Sequence, residues 1–282
     1  MSIGTSGWSY KEWEGVFYPP NEKSKLSFYS KYFKTVEIDS TFYAYPKQGM
    51  VYGLARYTPD DFSFTAKLPK LITHDKKLDL DKGVHADLMR FLGLMKPLMD
   101  KRKLGPLLIQ LPPSFTYEKD AKKLRGFLGG LPGDVSFAVE FRNRTWLRAE
   151  TWDMLKKNGV ANTIVDEPLL PPETNVTADF SFVRWHGRGE RPWYNYRYKE
   201  AELDPWVTKV KDVASRVKKT YGYFNNHFRG YAIENALQML GKLGAANAEQ
   251  NELLKAVSKR IDGQLKLKSD KKTAGATLLD FG

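Results

Sequence analysis

The sequence predicts an α/β fold, a (β/α)8 TIM-like barrel with an irregular connection in place of the helix after strand six. Three observations predict it. Eight short apolar runs recur along the 282 residues, seven of them end in or run straight into polar side chains, and most of the intervening segments carry helical periodicity. Parallel strands with functional groups only at their C-terminal ends are what a barrel with one active face produces, and this length is usual for eight βα units.

The runs fall in order. Ile3-Gly4-Thr5-Ser6 opens the chain, and Thr35-Val36-Glu37-Ile38-Asp39 ends acidic. Phe64-Thr65-Ala66-Lys67 ends basic, Leu107-Leu108-Ile109-Gln110 ends in an amide, and Phe137-Ala138-Val139-Glu140 leads into Arg142. Asn162-Thr163-Ile164-Val165 stops at Asp166, Phe182-Val183-Arg184-Trp185 at His186, and Tyr221-Gly222-Tyr223-Phe224 at Asn225 and Asn226. Between them, Leu26, Tyr29, Ser30 and Phe33 share a helical face after Ser24, an N-cap residue type, and Leu88, Phe91, Leu92, Met95 and Met99 repeat at helical spacing. Lys122 to Leu128, Trp152 to Lys157, Val207 to Val217 and Ile233 to Leu243 supply later crossovers. Pro168, Pro171 and Pro172 leave little room for a helix after strand six. The barrel is expected over residues 1–244, with a helical extension around Asn251 to Ile261 and a lysine-rich tail making up 245–282.

Composition narrows the chemistry. Without cysteine there are no disulfides, thiolate ligands or cysteine nucleophile. No apolar run is long enough to cross a bilayer and no leader-like segment precedes the first strand, so a cytoplasmic protein without membrane contact is expected. The net charge of +12 favours polyanionic partners, although Lys266, Lys268, Lys271 and Lys272 near the C-terminus account for part of it. The chain ends Gly275-Ala276-Thr277-Leu278-Leu279-Asp280-Phe281-Gly282, which looks like a degenerate sliding-clamp-binding peptide lacking the usual Gln and second aromatic; an apolar tail docking on the barrel is the competing reading.

Several separate motifs together resemble the DUF72 family, also called YecE-like, over about residues 3–240. They are Gly4-Thr5-Ser6-Gly7-Trp8-Ser9-Tyr10, Val36-Glu37-Ile38-Asp39-Ser40-Thr41-Phe42-Tyr43, Ala66-Lys67-Leu68-Pro69 with Ile72-Thr73-His74, Gln110-Leu111-Pro112-Pro113-Ser114-Phe115, Glu140-Phe141-Arg142 with Trp146, Arg184-Trp185-His186-Gly187-Arg188, and Phe224-Asn225-Asn226. The resemblance implies a barrel with a polar pocket and no particular reaction. Asp39 stands where the family often has Asn.

The candidate site follows from the strand ends. Glu140, His186, Asp166 and Glu37 are the candidate catalytic residues, because a histidine beside carboxylates suits proton transfer. Lys67, Arg142, Arg184 and Arg188 point to an anionic substrate, arginine being suited to carboxylate or phosphate. Glu37 and Glu140 neutralising these bases in a buried ion-pair layer is the competing reading. Trp8, Tyr43, His74, Gln110, Trp146, Asn225 and Asn226 complete the expected substrate contacts. No cofactor is expected; a divalent metal on His74, His186 and His227 with Glu140, Asp39 or Asp166 is the less favoured alternative. Neither a P-loop, a dinucleotide fingerprint nor a Gly-x-Ser-x-Gly elbow occurs. The reading is a hydrolase of a phosphate-bearing anionic substrate, nucleotide or nucleic acid favoured. The alternatives are a sugar-phosphate or carbohydrate enzyme with paired carboxylates, and a non-catalytic nucleic-acid-binding protein.

Overall fold

The computed structural model describes residues 1–190 and 192–277. All eight apolar runs are strands: β1 (Ser2–Thr5), β2 (Thr35–Ile38), β3 (Ser63–Lys67), β4 (Leu104–Gln110), β5 (Phe137–Glu140), β6 (Ala161–Asp166), β7 (Phe180–Trp185) and β8 (Lys219–Phe224). Every paired neighbour is parallel, in the order β1-β8-β7-β6-β5-β4-β3-β2. An isolated parallel bridge between Ser6 and Glu37, with the Gly7 N–H donating to the Glu37 carbonyl at 2.8 Å, brings β1 against β2 and nearly closes the barrel. Gly4 permits this seam: a Cβ there would stand 2.3 Å from the Thr35 carbonyl oxygen.

Helices α1 (Lys25–Tyr32), α2 (Gln48–Arg56), α3 (Val84–Asp100), α4 (Tyr117–Gly129), α5 (Ala149–Lys157), α6 (Glu200–Ser215) and α7 (Tyr231–Lys242) connect or follow the strands. Their apolar faces, including Leu88, Phe91, Leu92 and Met95 of α3, bury against the outer surface of the sheet. Ser24 takes the N-cap position of α1, but its hydroxyl makes no capping bond. The sequence reading did not place α2. Its two glycines weaken the intrinsic helical signal, and burial of Val51, Leu54 and Ala55 decides the matter.

Residues 167–179 carry no helix, as the prolines predict. This connection is pinned by the Thr177 hydroxyl, which accepts from the Asn162 N–H and donates to the Val160 carbonyl, both at 2.7 Å. The C-terminal helix is longer than expected: α8 runs over Ala248–Thr277, so its backbone continues into the segment expected to be a lysine-rich tail. Val257 and Ile261 of α8 are fully buried, and Arg197 joins Glu234 of α7 to Asp262 of α8. Leu278 and Phe281 of the clamp-like peptide lie outside the described residues. Among the described residues, no helix is long and apolar enough to cross a membrane.

Candidate active site at the mouth of the barrel

Because side chains alternate along a strand, every second residue faces the barrel interior. The lower interior is an apolar plug containing Leu108, Ala138, Phe182 and Tyr223. Two residues further along the same strands come Gln110 after Leu108, Glu140 after Ala138 and Arg184 after Phe182. Glu37 ends up beside Arg184, and Gln110 pairs in register with Glu140. Parallel strands put this charged layer at one rim.

Arg184 is the centre of the layer. Fully buried, it donates from Nη2 to Glu37 Oε1 at 2.7 Å and from Nη1 to Glu140 Oε2 at 2.6 Å. The other Glu140 oxygen accepts from Gln110 Nε2 at 2.7 Å and Arg142 Nε at 2.6 Å. Arg142 also donates to Glu167 Oε2 at 2.7 Å. Burial by itself would raise the Glu140 carboxyl, but Arg142 and then Arg184 outweigh burial and hold it well below the ordinary carboxylate range. Glu140 is therefore a fixed anion. Glu37 differs: Oε1 is occupied by Arg184 and by Ser6 Oγ at 2.5 Å, whereas Oε2 is buried without a partner, as is Arg184 Nε. Such orphaned groups are costly and mark places where a ligand group can be accommodated.

The structure overturns the assignment of His186 as a proton donor or acceptor. Its Nε2 lies 2.9 Å from Arg142 Nη2 and 3.3 Å from Arg184 Nη1, and guanidinium nitrogens only donate. Nε2 also lies 3.3 Å from Glu140 Oε1, but the shorter contact with an obligate donor fixes Nε2 as the acceptor. Nδ1 then carries the proton, and since the Asn225 atom it meets at 3.0 Å is the amide nitrogen Nδ2, this tautomer requires the amide to be turned so that its oxygen accepts. Burial, then the Arg142 charge, pushes the imidazole down to about 3. His186 is a neutral spacer that orients the two guanidinium groups.

Asp166 is also committed: it is buried and accepts from Arg188 Nε at 2.8 Å and from Arg188 Nη2. Arg188 is 49% exposed, leaving one edge of its guanidinium toward solvent. Lys67 is the contrasting cation. Half-buried at the end of β3, it has no carboxylate ion pair and no side-chain hydrogen bond among the described residues; its Nζ stands 5.9 Å from the Phe42 ring centroid. Burial, then Arg184, lowers its pKa. His74 stands edge-on to Phe42, with ring centroids 4.9 Å apart, and its Nδ1 meets the Thr73 hydroxyl at 2.9 Å.

Two expected substrate contacts are corrected. Trp146 is fully buried, stacks on Phe115 and Phe141, and donates its indole N–H to the Phe115 carbonyl at 2.8 Å; it packs the β5 loop and does not face the mouth. Asn226 is likewise buried, donating to the Tyr196 carbonyl at 2.8 Å and to Asn235 Oδ1 at 2.7 Å, so it ties the β7 loop to α7. Trp8 lines a cleft of about 490 Å³ with Met50, Leu54 and Tyr57, none of them a residue of the charged layer, while Tyr43 is 81% exposed. A larger cleft, about 730 Å³, lies along α2 and α3 and also contains none of the charged layer. His74, His186 and His227 have separate neighbours, His227 being stacked between Tyr10 and Tyr194. No cluster of three histidine, aspartate or glutamate side chains is poised to hold a metal among the described residues.

Glu167 was missed in the sequence. It follows Asp166 at the end of β6, is buried, and bonds Arg142 through Oε2 alone. Burial raises its carboxyl against the opposing pull of Arg142, giving it a proton affinity unlike that of Glu140. Its only signal was adjacency to a strand-end acid.

Comparison with known proteins agrees with this architecture. The family described as protein of unknown function DUF72 matches residues 2–259. The UPF0759 protein YunF of Bacillus subtilis is 28% identical over 84% of this chain and 93% of its own length. The UPF0759 protein YecE of Escherichia coli O157:H7 is 33% identical over 60% of this chain and 58% of its own. A crystal structure of a DUF72 family protein from Thermotoga maritima superposes with a TM-score of 0.77 at 35% identity, covering 86% of this chain and 98% of that one.

Proposed function

The chain belongs to the DUF72 family, and for this member we propose that the barrel mouth is the active site of a hydrolase acting on a phosphate-bearing anionic substrate. The observation that carries this reading is the unequal commitment of the cations. Arg142 and Arg184 are consumed by Glu37, Glu140 and Glu167, whereas Lys67 has no anionic partner among the described residues. A half-buried cation that no carboxylate reaches within ion-pair distance among the described residues is suited to bind an anion. The outward edge of Arg188 supplies a second contact for a larger phosphate. Glu37 Oε2, the buried carboxylate oxygen left without a hydrogen bond, is the proton acceptor in this reading, and Glu167 is the carboxyl suited to return one. The net charge of +12 favours a nucleotide or nucleic-acid phosphate.

The sugar-phosphate alternative changes its residues. Glu140 has both oxygens engaged by arginine, whereas Glu37, Asp166 and Glu167 are each engaged by arginine through one oxygen, so paired-carboxylate chemistry falls to Glu37 with Asp166 or Glu167. A panel of nucleotides, oligonucleotides and sugar phosphates assayed for phosphate release or strand cleavage tests the reading. Turnover abolished in both Lys67→Ala and Glu37→Gln supports it. Turnover that survives both variants, or no turnover with any member of the panel, refutes hydrolysis at this mouth.

A further inference from the structure

Lys67 has a capability that phosphate binding does not use. Its amine lies at the charged rim without a hydrogen-bond acceptor among the described residues, 5.9 Å from the Phe42 ring centroid, and the charged layer it joins contains the buried, unpartnered Oε2 of Glu37. An amine free of carboxylate contact and an orphaned proton acceptor are the two groups that carbonyl condensation requires. We propose that Lys67 forms an imine with a small aldehyde or ketone that carries a phosphate group. The inference rests on the mouth being the substrate site and narrows the substrate to one with a carbonyl.

The step balances without oxidant or reductant. Neutral Nζ adds to the carbonyl carbon, forming the C–N bond as the carbonyl π pair moves to oxygen. That oxygen then leaves as water with the two protons that began on Nζ, and the C=N bond remains. Glu37 Oε2 accepts a proton from nitrogen in addition and returns it to the departing oxygen. Burial, then Arg184, lowers the lysine pKa against the opposing pull of Glu37, Glu140 and Asp39, which favours the neutral amine. Once Lys67 is in the imine, the outward edge of Arg188 is the contact left for the phosphate.

Reductive trapping tests this directly. The full chain is incubated with glyceraldehyde 3-phosphate and sodium cyanoborohydride, and adducts are located by peptide mass mapping. The expected result is an adduct at Lys67 that forms before any at the exposed Lys211, at a lower pH, and more slowly in Glu37→Gln. Lys67→Arg, which keeps the charge, should fold with unchanged melting temperature and lose this adduct. Labelling of Lys67 no faster than Lys211 overturns the proposal. A parallel thermal titration with inorganic phosphate separates the two ideas. Stabilisation by phosphate without an adduct sinks the imine alone, an adduct without stabilisation sinks the phosphate site alone, and neither sinks both.

Discussion

The two halves of the barrel interior are built from the same strands and differ by one step of the pleat. Leu108, Ala138 and Phe182 fill the lower half, and Gln110, Glu140 and Arg184 occupy the next inward positions. The lower half needs only complementary volumes. The upper half holds charges of which the glutamates and arginines are paired, and the attraction must offset a desolvation cost of several kcal/mol per ion. Such a layer is weak evidence of stability. Its exceptions, Lys67 without an ion pair among the described residues and Glu37 with one oxygen lacking a hydrogen bond, are what distinguish a site from a structural ion-pair lattice.

Breaking the upper half at its centre should have the largest effect. Arg184→Ala strands Glu37 and Glu140 in the interior, and we expect a loss of about 3–5 kcal/mol in denaturant unfolding. A loss below about 1 kcal/mol would mean that water already reaches and compensates these carboxylates. Breaking the lower half with Leu108→Ala should cost about 3 kcal/mol through the cavity left behind, with phosphate affinity unchanged. If that substitution weakens phosphate binding as much as Lys67→Ala does, the two halves are not independent.

Acid sharpens the contrast. The folded-state pKa of His186 is depressed from 6.5 to about 3, so between these values the unfolded chain binds a proton that the folded chain excludes. Stability should fall as pH drops below about 6.5, with a slope approaching about 1.4 kcal/mol per pH unit for this group. Glu140, also depressed, adds stability above 4.5 that is lost as pH falls through its folded value; Glu167, raised, works against it in the range just above 4.5. His74 and His227 are shifted downward and act in the direction of His186. Urea titrations across this range should give a shallower slope for His186→Gln, whereas an unchanged slope would remove His186 as a titrating element. The smallest effect belongs outside both halves: Tyr43→Ala, at an exposed ring, should change stability by no more than about 0.5 kcal/mol.

Much of this organisation is legible in the sequence. Strand ends show themselves because apolar runs stop at charges, and the convergence of Glu140, Arg142, Arg184 and His186 follows from parallel strands sharing one rim. What happens past the last ladder residue is not legible, since the pleat no longer dictates direction there. Asn225 meets His186 while its neighbour Asn226 turns to α7, and Trp146 folds into the core beneath the β5 loop. Proton assignment was equally hidden: His186 loses its acid–base role only once two guanidinium groups are seen at the same nitrogen. The helix α2 was missed because packing, not composition, creates it.

The most direct measurement is the phosphate dependence of thermal stability at constant ionic strength, compared between the wild-type chain and Lys67→Ala. An anion site at Lys67 predicts a melting temperature that rises with phosphate concentration in the wild type and stays flat in the variant, because binding to the folded state alone stabilises it. Equal rises in both proteins, or none in the wild type, would contradict an anion site at Lys67.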